Sequence, residues 1–254
     1  MLAIQSLNKR FGGLQALSGV TVQAEPAAIT AVIGPNGAGK STLMNVISGF
    51  IAPDGGEVSV AGTPITGFKP HEVCHQGLAR TFQNLQMFSD MTVLEAVVTG
   101  RTRQRKASLL ANLLMTPAVW REEKEAAQKA QELLEAMEIS PPFWERRAGD
   151  LPYGMQRRVE IARALATEPS YLLLDEPAAG LNDEESAALG TTLVRLAYEG
   201  IGIVLIEHDI ELVMNVSRRI FVMDAGTVIA SGTPAQVRSN PDVIKAYLGD
   251  EHVG

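Results

Sequence analysis

Cysteine is almost missing from these 254 residues: Cys74 stands alone. No intrachain disulfide can form, and a reducing compartment fits that usage. Long apolar runs are missing too. None approaches the roughly 20 residues that a membrane-spanning helix needs, and the longest candidate, residues 107–115, is broken by Ser108 and Asn112. The opening Met1-Leu2-Ala3-Ile4-Gln5 lacks a basic stretch followed by an apolar core, so no secretory signal is expected and the chain reads as soluble by itself. Positive charge is in deficit, 22 Lys and Arg against 29 Asp and Glu for a net charge of −7, which argues against non-specific nucleic-acid binding. His71, Cys74 and His75 lie close together, but no fourth ligand and no closed zinc spacing accompany them. No internal repeat is visible. What remains is a chain with 46% hydrophobic and 20% charged residues, enough for a real core in one or two domains.

Patterning divides the chain into three stretches. Residues 2–33 read as short strands, with partial alternation at Ile4, Leu7, Val20, Val22 and Ala24 and a turn at Phe11-Gly12-Gly13. The apolar strand of residues 29–33 runs into Gly34, residues 43–50 read as a helix ending at Gly49, and residues 57–61 as a further strand after Pro53-Asp54-Gly55-Gly56. Residues 92–165 are mostly helical. In residues 120–138, Ala126, Ala130, Leu133, Leu134 and Met137 recur at helical spacing, and Pro141-Pro142 is the expected stop. Arg101, Arg103, Arg105 and Lys106 form a basic cluster that suits either a solvated face or contact with an anionic partner or lipid headgroups. The last third alternates again: a buried strand at 171–174, a helix opening at Asn182-Asp183-Glu184-Glu185, a buried strand at 203–206 and a hairpin over 221–230. A strand–helix architecture with a helical insert is the simplest account.

Chemistry concentrates at strand ends. Gly34-Pro35-Asn36-Gly37-Ala38-Gly39-Lys40-Ser41-Thr42 fits the phosphate-loop pattern Gly-x4-Gly-Lys-Ser/Thr, with an apolar strand before it and a helix after it. Glycines let the backbone curl so that several N–H groups face one phosphate. The helix starting near Lys40 adds its positive end; Lys40 is placed for the β- and γ-phosphates and Ser41 for Mg²⁺. A second apolar strand ends in Asp175-Glu176, followed by Pro177. Asp175 is placed to organise Mg²⁺ through water, and Glu176 to polarise the attacking water. A third strand ends in Glu207-His208-Asp209, where His208 could bond the γ-phosphate and support Glu176.

With these motifs in order, the chain resembles the ATP-binding cassette (ABC) transporter ATPases over nearly its whole length. Leu151-Pro152-Tyr153-Gly154-Met155 stands where that family's signature segment is found, and residues 159–165 resemble its signature helix. Gln83 matches the Q-loop glutamine, residues 179–182 the D-loop, His208 the switch histidine and Phe11 the aromatic that stacks on adenine. The resemblance implies an α/β fold: a P-loop NTPase core with an antiparallel β subdomain and a helical subdomain insert. It implies one cassette over 1–254, with a RecA-like core about 1–90 and 166–254 and a helical subdomain about 91–165. It implies ATP and Mg²⁺ as ligands. Glu176, His208 and Gln83 would be catalytic, and Ser41, Gln83 and Asp175 would serve the metal. Phe11, Gly34 to Thr42, Tyr153 and Gly154 would contact nucleotide, the last two across a head-to-tail pair of cassettes.

Within the family, residues 80–83, 175–182, 206–209 and 240–249 look like the first ATPase subunit of branched-chain amino acid uptake systems. Such systems pair it with a second, nonidentical ATPase, two integral membrane permease subunits and a periplasmic or extracellular solute-binding protein. The location implied is the cytoplasmic face of the cell membrane, with no nucleic-acid partner. Urea and amide importers remain alternative cargoes, and a nontransport ATPase acting on ribosomes or DNA is the alternative class. One departure stands out: Pro152 replaces the signature serine and Met155 the glutamine, so a hydroxyl and an N–H are lost there.

Overall fold

The computed structural model describes residues 1–82, 90–104 and 117–248. Its backbone packs as two units, residues 1–83 with 170–254 and residues 84–169.

The first unit opens with β1 (Leu2–Phe11) and β2 (Leu14–Ala24), an antiparallel pair joined at Gly12-Gly13. These strands are long, 10 and 11 residues, where short ones were expected. The reason is local. Ser6 and Gly19 take positive φ, the register shifts between Ile4 and Leu7, and the alternation is reset without the pairing ending. Leu2, Ile4, Leu7, Leu17, Val20 and Val22 still reach the core. Strand β3 (Ile29–Ile33) is buried along its length and delivers the chain to α1 (Lys40–Ile47). That helix starts at Lys40, as the phosphate-loop reading places it, and its last regular residue is Ile47, because Gly49, the expected stop, turns left-handed against the Phe68 carbonyl, where a side chain would collide. Strand β4 (Gly55–Val60) ends one residue short of the expected bound, since Ala61 takes φ 50 in the turn to β5 (Thr63–Pro64). Helix α2 (Pro70–His75), whose N-terminus is capped by Glu72 accepting from the Lys69 N–H at 2.8 Å, leads into β6 (Leu78–Arg80).

The second unit is helical: α3 (Val93–Val98), α4 (Pro117–Ala136) and α5 (Tyr153–Leu165). Thr92 and Glu95 form a capping box at α3. Ala126, Ala130, Leu134 and Met137 are buried, as their spacing predicts. The prolines are not what stops α4. Glu138 takes φ 58 and the Ile139 N–H returns to the Leu134 carbonyl at 2.9 Å, so the helix closes before Pro141-Pro142 begins a short 3₁₀ turn. In the basic cluster, Arg101 pairs with Glu168, while the side chains of Arg103, Arg105 and Lys106 lie outside the described residues.

Returning to the first unit, β7 (Tyr171–Asp175) precedes α6 (Asp183–Tyr198), whose cap is the Asn182–Glu185 box that the sequence suggests. Then follow β8 (Gly202–Ile206), α7 (Ile210–Val216), the expected hairpin β9 (Arg219–Asp224) and β10 (Thr227–Gly232), α8 (Pro234–Arg238) and α9 (Pro241–Leu248). Two sheets result. One is antiparallel, in the order β2-β1-β4-β5; the other has six strands in the order β10-β9-β3-β8-β7-β6. In the second, β3 pairs in parallel with β8 and β9, β8 with β7, and β7 with β6; only β10 runs antiparallel. Ligands of such sheets bind beyond the carboxyl ends of the parallel strands. Val32, Ile206 and Asp175 stand in register across β3, β8 and β7, so the residues following these three strands share one edge. No described helix is long and apolar enough to cross a membrane.

Candidate active site

The loop between β3 and α1 is shaped by glycine. Gly34, Gly37 and Gly39 have φ of 149°, 81° and 100°, a region that L side chains rarely adopt. A Cβ on Gly34 would strike the Met223 carbonyl, and one on Gly39 would lie 2.6 Å from the Ala16 carbonyl. Nothing lies within 4 Å of the corresponding position on Gly37. The loop is clasped from outside. The Gly226 N–H donates to the Ala38 carbonyl at 3.1 Å, and the Ser18 N–H to the Gly226 carbonyl at 2.8 Å, so β2 and the β9–β10 turn both brace it. Lys40 is buried, and its Nζ donates to the Gly34 and Pro35 carbonyls at 2.7 and 2.9 Å. Burial pulls its ammonium below the usual lysine range, against the opposing pull of Glu176 and Asp175. Residues 40–42 form the first turn of α1, where amides have no intrahelical acceptors, so they face the anion side. Ser41 is exposed there and Thr42 half-buried; Pro35 is half-buried and Asn36 exposed.

At the end of β7, Asp175 is buried and accepts from Arg80 Nη2 at 3.0 Å. The other arm of the Arg80 guanidinium donates to Asn45 Oδ1 of α1 and to Ser48 Oγ just beyond its end, both at 2.8 Å, and the cation stacks on Phe82 and Phe50. Glu176 takes φ 49, a left-handed conformation costly for a residue with a side chain, and its N–H donates to the Ile206 carbonyl at 2.8 Å. Glu176 Oε1 lies 2.6 Å from His208 Nε2. Beside them, Glu207 is buried. Its Oε1 accepts from the Ala178 N–H at 2.6 Å and its Oε2 from the His208 N–H at 3.0 Å. Burial pushes the Glu207 carboxyl above the usual carboxylate range; these backbone donors pull it back, and Glu176 pushes it further up. Asp209 caps α7 through the Leu212 N–H and accepts from Ser186 Oγ.

A glycine cradle, a buried ammonium, and a carboxylate–imidazole pair on one sheet edge make a phosphate site with the groups for attack by water. The model of the family described as "ABC transporter" matches residues 17–179. The chain belongs to the ABC transporter family. A second family model, "Branched-chain amino acid ATP-binding cassette transporter", matches residues 227–253. Among curated relatives, the high-affinity branched-chain amino acid transport ATP-binding protein BraF of Pseudomonas aeruginosa is 45% identical over 251 residues, covering 98% of each chain. The corresponding protein LivG of Escherichia coli is 43% identical, again over 98% of each. A crystal structure of an ABC transporter's ATP-binding cassette in its ADP conformation superposes with a TM-score of 0.85 at 36% identity, covering 98% of both chains. The chain is an ATP-binding, ATP-hydrolysing subunit of an ABC transporter, and its fold is the P-loop ABC ATPase fold, a mixed β-sheet core with a helical insert.

In this ABC ATPase the first unit gathers Gly34 to Thr42, Asp175, Glu176 and His208. Phe11 stands 46% exposed at the β1–β2 turn, with Lys9 Nζ 5.5 Å from its ring centre. Gln83 lies outside the described residues. Tyr153 and Gly154 open α5 in the second unit, where Tyr153 is 42% exposed and stacked on Arg157. Pro152 is the N-cap of that helix and offers no side-chain cap; Gln156 Nε2 instead donates to the Leu151 carbonyl at 2.8 Å.

The residues fit a nucleotide triphosphate with Mg²⁺. The cradle has no room for side chains at Gly34 and Gly39, Lys40 supplies buried positive charge, and Ser41 and Asp175 are the oxygen donors that Mg²⁺ prefers. Arg80 and Glu207 escaped assignment from sequence. Each is a charged residue at the end of an apolar strand, Leu78-Ala79-Arg80 and Val204-Leu205-Ile206-Glu207, and that interruption was the available signal.

Proposed function

We propose that this chain supplies the energy for an importer of branched-chain or related amino acids, working at the cytoplasmic face of the cell membrane. The observation that carries the hydrolytic part is the 2.6 Å Glu176–His208 pair on the sheet edge that holds the phosphate loop. Glycine-loop amides, Lys40 and Thr42 bind the phosphates, and Phe11 stacks on the base. Ser41 and Asp175, with Gln83, would hold Mg²⁺, which when bound neutralises charge on the phosphates. Glu176 orients and polarises water, and His208 holds the Glu176 carboxylate toward it. The names of the BraF and LivG relatives support the cargo. No site for an amino acid is among the features described, so selection would rest with a solute-binding protein and two permease subunits. Purification of the native membrane complex, followed by ligand titration of its external binding protein, tests this. Leucine, isoleucine or valine binding is the expected result; exclusive binding of urea or an amide would overturn the cargo.

Coupling to the membrane subunits follows from closure of two cassettes head to tail, each nucleotide lying between one chain's phosphate loop and the other's signature segment. Tyr153 and Gly154 would then meet the partner's nucleotide. Pro152 brings no hydroxyl to that contact, and a missing charge-assisted hydrogen bond costs about 1.5–3 kcal/mol. With a nonidentical partner cassette that carries the signature serine, the two sites of the pair are unequal. Single-turnover hydrolysis at each site should differ, and Pro152→Ser should narrow the gap; equal rates left unchanged by Pro152→Ser would refute the asymmetry.

A further inference from the structure

Glu207 joins two loops that the proposed chemistry needs side by side. It follows β8, is 4% exposed, and its two oxygens face different loops: Oε1 the Ala178 N–H at 2.6 Å, Oε2 the His208 N–H at 3.0 Å. Ala178 is two residues beyond Glu176. Pro177, between them, has no N–H, so the Ala178 amide is the first donor after Glu176 that anything can grip. Glu176 itself sits at φ 49 with its N–H on the Ile206 carbonyl. A residue with a side chain keeps that conformation only where its surroundings hold it. The contacts close into a ring: Glu176 to Ala178 along the chain, Ala178 to Glu207, Glu207 to His208, and His208 Nε2 back to Glu176 Oε1 at 2.6 Å.

We propose that Glu207 is a positioning residue for hydrolysis, whose carboxylate holds the backbone on both sides of the Glu176–His208 pair and so keeps Glu176 in its left-handed, water-facing conformation. The proposal rests on the reading of Glu176 as the residue that polarises water. Only a carboxylate offers acceptors at both ends. An amide of the same shape must turn an NH₂ toward one of the two N–H groups, which breaks one side of the ring. Glu207→Asp keeps both acceptors on a stem one methylene too short to reach both loops.

The test compares Glu207→Gln and Glu207→Asp with the parent. Single-turnover hydrolysis is followed at this chain's phosphate loop in the assembled transporter, with ATP titration and the His208 imidazole resonance read in the full-length chain. Glu207→Gln should slow hydrolysis by about tenfold or more while ATP affinity changes by less than about twofold. The His208 resonance should move, and Glu207→Asp should fall between Gln and parent. In a Glu176→Gln background, Glu207→Gln should add no further loss, because its effect passes through Glu176. A folded Glu207→Gln variant with parental hydrolysis and an unmoved His208 resonance overturns the proposal, as does full additivity with Glu176→Gln. If Glu207→Gln does not fold, Glu207→Asp carries the test with the same signs. A parental rate in Glu176→Gln alone overturns the reading of Glu176, and the His208 resonance then still reports whether Glu207 closes the ring.

Discussion

Replacing Glu176 with Gln should leave ATP binding within about twofold of the parent while hydrolysis falls by about 10²–10⁴-fold, the range typical of a lost general base. The substitution preserves shape, the left-handed backbone and the Ile206 hydrogen bond, so the cradle around Lys40 is not disturbed. What changes is charge. The amide is no base for water, and its contact with His208 Nε2 is made by a neutral group in place of a carboxylate. If two cassettes close on nucleotide as proposed, binding without turnover holds the pair, and the variant should run as an ATP-dependent dimer in gel filtration. Hydrolysis at the parental rate would refute the assignment of Glu176, and the Asp175 carboxylate at the end of the same strand would be the next candidate.

Lys40→Ala should act at the other end of the reaction coordinate, on binding. Its ammonium is the buried positive charge of the cradle, and a charge-assisted contact to phosphate is worth about 1.5–3 kcal/mol, or about 10–100-fold in Kd. A second effect is expected without nucleotide. Lys40 Nζ bonds the Gly34 and Pro35 carbonyls, so its loss leaves both without that donor and lowers the melting temperature of the free chain. Equilibrium titration with a fluorescent ATP analogue checks the first effect, and a thermal melt without nucleotide checks the second. Unchanged affinity would mean that the loop amides alone hold the phosphates.

The same contrast explains what could be read from the sequence. The phosphate loop, Asp175-Glu176 and His208 were legible because each sits at fixed spacing directly after an apolar strand, and parallel strands bring such ends to one edge. The Asn182–Glu185 cap and the β9–β10 hairpin are equally local and were equally plain. The extent of β1 and β2 was not, because the irregularities at Ser6 and Gly19 break the period of two on which strand reading depends. The real end of α4 was hidden for a similar reason: a glutamate, Glu138, takes the left-handed turn usually given to glycine, and the nearby prolines are the stronger stop signal in the sequence. Arg80 and Glu207 were obscure because their meaning lies in partners 95 and 29 residues away, Asp175 and Ala178, which spacing alone does not reveal.

The clasp on the phosphate loop has a consequence for how such a subunit can vary. Ala16 and Ser18 of β2 are fixed by the packing of Gly39 and Gly226 against them. A few residues away, the tip of the same hairpin is open, with Phe11 46% and Leu14 68% exposed. Stem and tip therefore tolerate substitution differently. The stem is tied to the phosphate loop, whereas the tip can exchange side chains at little structural cost. If Phe11 stacks on the base as proposed, base contacts can be altered at the tip without touching the loop that cradles the phosphates.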